Sequence, residues 1–67
     1  MEAREIRAMA TEEIQHRLDE THEELFNLRF QWSTRQLKDT NRLTQVRRDV
    51  ARLKTILRER KLAQYFD

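Results

Sequence analysis

Neither glycine nor proline occurs anywhere in the 67 residues. Tight hairpins, bulges and phosphate-cradling loops draw on those two residues, one for its positive backbone angles and the other for its fixed φ. A chain with neither is pushed towards long, uninterrupted helices and away from sheet. Cysteine is also absent, so no disulfide staples so short a chain, and two histidines without cysteine give a structural zinc ion little to bind. Cohesion has to come from helix packing or from a partner.

Two apolar series carry the alternating three-and-four spacing of a helix packed along one neighbour. Ile14, Leu18, Thr21, Leu25, Leu28 and Trp32 form the first, and Leu43, Val46, Val50, Leu53 and Leu57 the second. They predict helices over about residues 12–36 and 41–61. Thr11, followed by Glu12 and Glu13, sets a hydroxyl acceptor and two carboxylates where a helix start has orphan N–H groups and positive partial charge. Ahead of it, "MEAREIRA" suits a short helical turn whose apolar contacts are Ile6 and Met9.

Between the two series lies "LKDTN", in which Asp39, Thr40 or Asn41 can cap the second helix, and Asp and Asn tolerate left-handed backbone angles. So short a connection joins antiparallel neighbours. The expected fold class is all-α: two long antiparallel helices in a coiled-coil-like hairpin, with a short N-terminal helical turn, and residues 1–67 forming a single domain. Folding the series about residue 39 pairs Trp32 with Val46, Leu28 with Val50, Leu25 with Leu53 and Thr21 with Leu57. Beyond Leu18 the facing position is Arg60, so the open end of the hairpin is expected to fray.

The net charge of +2 conceals an asymmetry. Residues 1–36 carry five basic and eight acidic side chains, whereas residues 42–61 carry eight basic ones against Asp49 and Glu59. At about 100° per residue, Lys54, Arg47, Arg58, Arg48 and Arg52 cover an arc of roughly 160° beside and behind the apolar series. Charge runs are ordinarily solvated faces. Here the sign is one-sided and arginine outnumbers lysine 11 to 3, which favours bidentate contacts with phosphates.

Structured RNA is the partner this pattern points to, because its shape and backbone are read without a helix entering a groove. The candidate RNA-binding residues are Arg35, Lys38, Arg42, Arg47, Arg48, Arg52, Lys54, Arg58 and Lys61. One rival is a helical-hairpin adaptor that binds another helix and no RNA. A DNA-binding basic helix fits poorly, because its basic region is free of apolar seam residues and this one is not.

Phe26 and Phe30 stand four apart and about 100° or more from the first series, so they cannot face the second helix. They are candidates for contact with another protein or for stacking on RNA, unless Ile6, Met9, Tyr65 or Phe66 folds over them. His16 and His22 are six apart, not the four of a helical metal pair. A two-helix hairpin offers no pocket, so no catalytic residue, cofactor or small-molecule substrate is expected. No run approaches the roughly 18 apolar residues of a membrane span, and "MEAREIRAMA" lacks a signal-peptide core, so the chain is expected to be soluble and unexported, with no membrane partner.

Two stretches carry a family resemblance: "EELFNLRFQ" at 23–31 and "QVRRDVARLKTILRER" at 45–60. With "STRQL" between them and an "REIRAM" opening, they resemble the bacterial-type large-subunit ribosomal protein twenty-nine family over nearly the whole chain. The resemblance implies a two-helix hairpin bound to large-subunit ribosomal RNA near the exit of the nascent-peptide tunnel, in a cytoplasmic or an organellar ribosome. It also implies ribosomal protein twenty-three as a neighbour, with trigger factor and the signal recognition particle docking close by, and Arg47, Arg48, Arg52, Lys54 and Arg58 on RNA phosphates. The chain departs from the family at Arg35, where glycine is usual before "QL", at Thr40, where proline often opens the second helix, and at Ala10, where serine is common.

Overall fold

The computed structural model describes residues 1–66, with side chains through Gln64. It contains a five-residue helix α1 (Ala3–Arg7) and two long ones, α2 (Thr11–Ser33) and α3 (Asn41–Phe66). The long helices lie side by side in a rod of 48 × 17 × 16 Å. Arg60 meets Thr11 at one end and Arg42 meets Glu24 towards the other, so the pair is antiparallel. Helix α2 ends three residues earlier than the spacing predicts and α3 runs five residues further, leaving 34–40 as the connection.

The expected seam is the core. Ile14, Leu18, Thr21, Leu25 and Leu28 of α2 and Val46, Val50, Leu53 and Leu57 of α3 are all buried. The single polar member, Thr21, donates its hydroxyl to the Arg17 carbonyl at 2.6 Å, so its presence in the core leaves no unpaired group. Two members of the expected seam lie outside the buried set: Trp32 is half exposed, and Leu43 is partly buried and packs against the core, as does Leu37 from the connection.

Leu25 and Val50 border one stretch of the interhelical groove, and Leu18 and Leu57 border the next. With α2 ending at Ser33 and α3 starting at Asn41, the midpoint of the connection falls at Leu37 rather than at residue 39.

Helix α2 ends in a Schellman arrangement: the Arg35 N–H donates to the Trp32 carbonyl at 3.0 Å and the Gln36 N–H to the Gln31 carbonyl at 2.8 Å. That closure needs a left-handed residue at the position after the cap, and Arg35 supplies it at φ 62°. Asp39 and Asn41, the residues of the connection that tolerate such angles best, do not adopt one. Asp39 instead accepts the Asn41 backbone N–H at 2.9 Å, securing the start of α3.

At the other end, α1 closes what a two-helix hairpin leaves open. Ile6 is fully buried, and Ile56, which points about 90° off the α3 seam, is covered on that side. Arg60 is half-buried and donates to the Arg7 carbonyl at 2.9 Å and to the Thr11 hydroxyl at 3.2 Å. The expected fraying at Arg60 is thus replaced by a staple. Thr11 does not cap α2: it is the first helical residue, Ala10 is the cap without a side-chain bond, and the Thr11 hydroxyl is used by Arg60.

Candidate nucleic-acid interface

Helix α3 has two flanks beside its buried stripe. One carries Asp49, Arg52, Ile56 and Arg60 and is taken up by α1. Asp49 lies 3.2 Å from the Met1 amine, and Arg52 donates to the Met1 carbonyl. Both side chains thus contact the N-terminal segment.

The opposite flank is open. Arg47, Lys54, Arg58 and Lys61 recur there at spacings of seven, four and three, so they line up along one edge of α3. Facing them on α2 are Gln15, His22 and Arg29. Together they border a groove whose first stretch is lined by His22, Leu25, Arg29, Arg47, Val50, Ala51 and Lys54. The next stretch is lined by Gln15, Leu18, Lys54, Leu57, Arg58 and Lys61. Lys54 belongs to both, so the groove is continuous, and from Arg47 to Lys61 it runs about 21 Å along α3.

Its floor is apolar and its rims are cationic or neutral, and no carboxylate lines either stretch. Among the described residues, Arg29, Arg47, Lys54, Arg58 and Lys61 take part in no ion pair; the four pairs formed are Met1–Asp49, Arg7–Glu59, His16–Glu20 and Arg42–Glu24. Positive charges held on neighbouring elements without counter-charge repel one another and raise the local potential, which an anion relieves.

The other candidate residues sort by position. Arg48 is exposed and borders a shallow surface with Thr44, Arg47 and Ala51 on the outer side of α3. Arg35 and Lys38 are exposed in the connection. Arg42 is engaged within the chain, its Nε donating to Glu24 at 2.8 Å, and Arg52 is engaged with the N-terminal segment.

Arg29 and His22 were absent from the sequence-based set because each belongs to the acidic first half. The signal was their phase: Arg29 follows Leu25 by four and Leu28 by one, which puts it at the edge of the seam. Phe26 and Phe30 are exposed, while Ile6 and Met9 pack with the core and do not cover them. Cover by the Tyr65 or Phe66 side chain lies outside the described residues. No helix among the described residues is long and apolar enough to cross a membrane.

Fold and site together define a helical hairpin with a cationic groove along one flank, the class of small, all-helical scaffold proteins. The family profile described as Ribosomal L29 protein matches residues 4–60 of it. The chain belongs to that family, and with it to the structural proteins of the ribosome rather than to enzymes. Similar proteins include the "Large ribosomal subunit protein uL29" of Natranaerobius thermophilus, 60% identical over 92% of this chain and 95% of that one. The protein of the same name from Geobacillus stearothermophilus is 57% identical over 94% and 96%, and that of Staphylococcus aureus strain JH9 is 52% identical over 96% and 93%.

Proposed function

We propose that the chain, acting as one hairpin unit, is a structural constituent of the large ribosomal subunit that binds large-subunit ribosomal RNA through the α2/α3 groove. One observation carries the reading: five cations on two helices border a continuous groove that no carboxylate lines. An RNA backbone laid along it neutralises those charges and releases its own condensed counterions. Arg35, Lys38 and Arg48 extend the contact around the turn and the outer side of α3, and Arg42 and Arg52 join it by exchanging their internal partners for phosphate.

The family resemblance supports a finer placement, near the exit of the nascent-peptide tunnel, with ribosomal protein twenty-three as neighbour and trigger factor and the signal recognition particle docking nearby. A photo-crosslinking residue at the exposed position Asn27, incorporated into ribosomes, tests it. Adducts with proteins of the exit region are expected, and adducts confined to any other region overturn the placement.

The RNA reading is tested by binding to large-subunit ribosomal RNA across a salt series, with an unrelated structured RNA as competitor. Specific binding whose logarithm falls linearly with the logarithm of salt concentration is expected. Absent or salt-insensitive binding, together with a concentration-dependent dimer, favours the helical adaptor instead.

A further inference from the structure

We propose that the chain holds two RNA segments at once: one in the α2/α3 groove, and a second against the outer face of α3 beside α1, contacted by Arg7, Arg48 and Arg52. This rests on the RNA-binding reading above and adds a second side to it.

Two shallow depressions meet on that outer face. Thr44, Arg47, Arg48 and Ala51 line one, and Ala3, Arg7, Ala51, Arg52, Thr55 and Ile56 line the other. Ala51 belongs to both, so they run together for about 17 Å along α3, from Thr44 to Thr55. Arg48, Arg52 and Thr55 lie about 110° around α3 from the groove edge formed by Arg47, Lys54, Arg58 and Lys61. Arg47 stands between the two surfaces and borders both.

Charge selects the occupant. No carboxylate lines either depression. Among the described residues Arg47 and Arg48 take part in no ion pair. Arg52 uses one of its donors on the Met1 carbonyl, a neutral acceptor that positions the guanidinium and leaves its charge uncompensated. Glu59 stands beside the depressions, 3.9 Å from Arg7, with both side chains exposed, so the pair contributes little and yields to a phosphate. The neighbouring acids face away: Asp49 is held by the Met1 amine, and Glu5 lies on the opposite side of α1 from Arg7.

Shape favours a nucleic-acid backbone over a protein. The exposed large hydrophobics among the described residues are Phe26, Phe30 and Trp32 of α2 and Leu62, two turns beyond Thr55, so the outer face lacks the aromatic anchors of a protein interface. The short side chains of Ala51 and Thr55 let a sugar–phosphate chain approach α3 closely. The Thr55 hydroxyl donates to the Ala51 carbonyl at 2.8 Å, so it turns an acceptor outward, which suits a ribose 2′-hydroxyl. A single duplex does not serve both surfaces, because the deep groove of A-form RNA is too narrow to admit α3 and the other groove is shallow.

The test mixes equal amounts of one short RNA duplex labelled with a donor fluorophore and the same duplex labelled with an acceptor, and titrates them with full-length chain. Energy transfer is expected to rise and then to fall as chain comes into excess. Sedimentation with RNA in excess is expected to give two duplexes per chain. Arg7→Gln/Arg48→Gln is expected to weaken the second binding event about tenfold and abolish transfer, while keeping the first event and the helicity. Arg52 is left in place because it also holds Met1. Arg17→Gln/Arg35→Gln, which removes the same charge away from the outer face, is expected to keep the transfer.

One duplex per chain at saturation overturns the second surface and leaves the groove reading intact. So does a complex of two duplexes with two chains, in which pairing of chains does the joining. Transfer that survives in Arg7→Gln/Arg48→Gln, or is lost equally in Arg17→Gln/Arg35→Gln, also overturns the outer face as the second site. Binding of no duplex at any salt concentration overturns the groove reading and the second surface together.

Discussion

Arg35 holds a backbone angle that its own side chain disfavours. At φ 62° its Cβ crowds the following carbonyl, a cost of about 1–2 kcal/mol that glycine avoids. The Schellman bonds from Arg35 and Gln36 and the packing of Leu37 hold the conformation in place. Arg35→Gly is therefore expected to stabilise the chain by about 1 kcal/mol, less the backbone entropy that glycine adds to the unfolded state. Arg35→Ala, which also removes the charge but keeps Cβ, is expected to leave stability unchanged. Urea unfolding of the three proteins checks this; a gain shared equally by the alanine variant would trace the effect to charge.

At the scale of elements, α1 is far too short to form by itself, because nucleating a helix costs more than one turn returns. It forms because Ile6 is buried and because Arg60 reaches both the Arg7 carbonyl and the Thr11 hydroxyl. Ile6→Ala is expected to cost about 2–4 kcal/mol, as a fully buried branched side chain leaves a cavity behind. Arg60→Leu is expected to cost about 1 kcal/mol and to speed amide exchange in α1 before any change in α2 or α3. Hydrogen exchange followed by segment measures both, and simultaneous loss of protection in all three helices would show that α1 is not a separate unit. The same comparison separates two kinds of arginine in one helix: Arg52 and Arg60 bind the chain to itself, whereas Arg47 and Arg58 face outwards.

The whole molecule is a thin rod whose core is one layer of side chains from each helix. Such a core has no reserve, so Leu28→Ala or Val50→Ala, each removing a buried member, is expected to unfold the isolated hairpin or lower its melting temperature steeply. Unchanged melting would contradict the single-layer core. Charge is expected to behave in the opposite way. Arg47→Gln, Lys54→Gln and Arg58→Gln together should leave helicity intact, since all three are exposed, while lowering the salt slope of RNA binding by about 2 to 3. Circular dichroism beside the salt series tests the separation, and a matching loss of helix would show that these residues serve the fold.

The absence of glycine and proline and the two three-and-four series were enough to determine an all-helical hairpin, because helical period and burial are properties of local spacing. The same spacing identified the core residues, and the excess of arginine in the second half identified the helix that carries the charge. What spacing could not contain was decided in three dimensions. Where α2 stopped was set by Arg35 entering a left-handed conformation, a choice among turn geometries that differ by only about a kilocalorie per mole. Trp32, in phase with the seam, stays half exposed, while Leu37 of the connection packs against the core. The groove joins Arg29 and His22 to Arg47 and Lys54, residues 18 to 32 positions apart, and only the packing of α2 on α3 brings them together. Which flank of α3 remained open was settled by α1 occupying the other, a long-range contact that buries Ile6 and leaves no trace in local pattern.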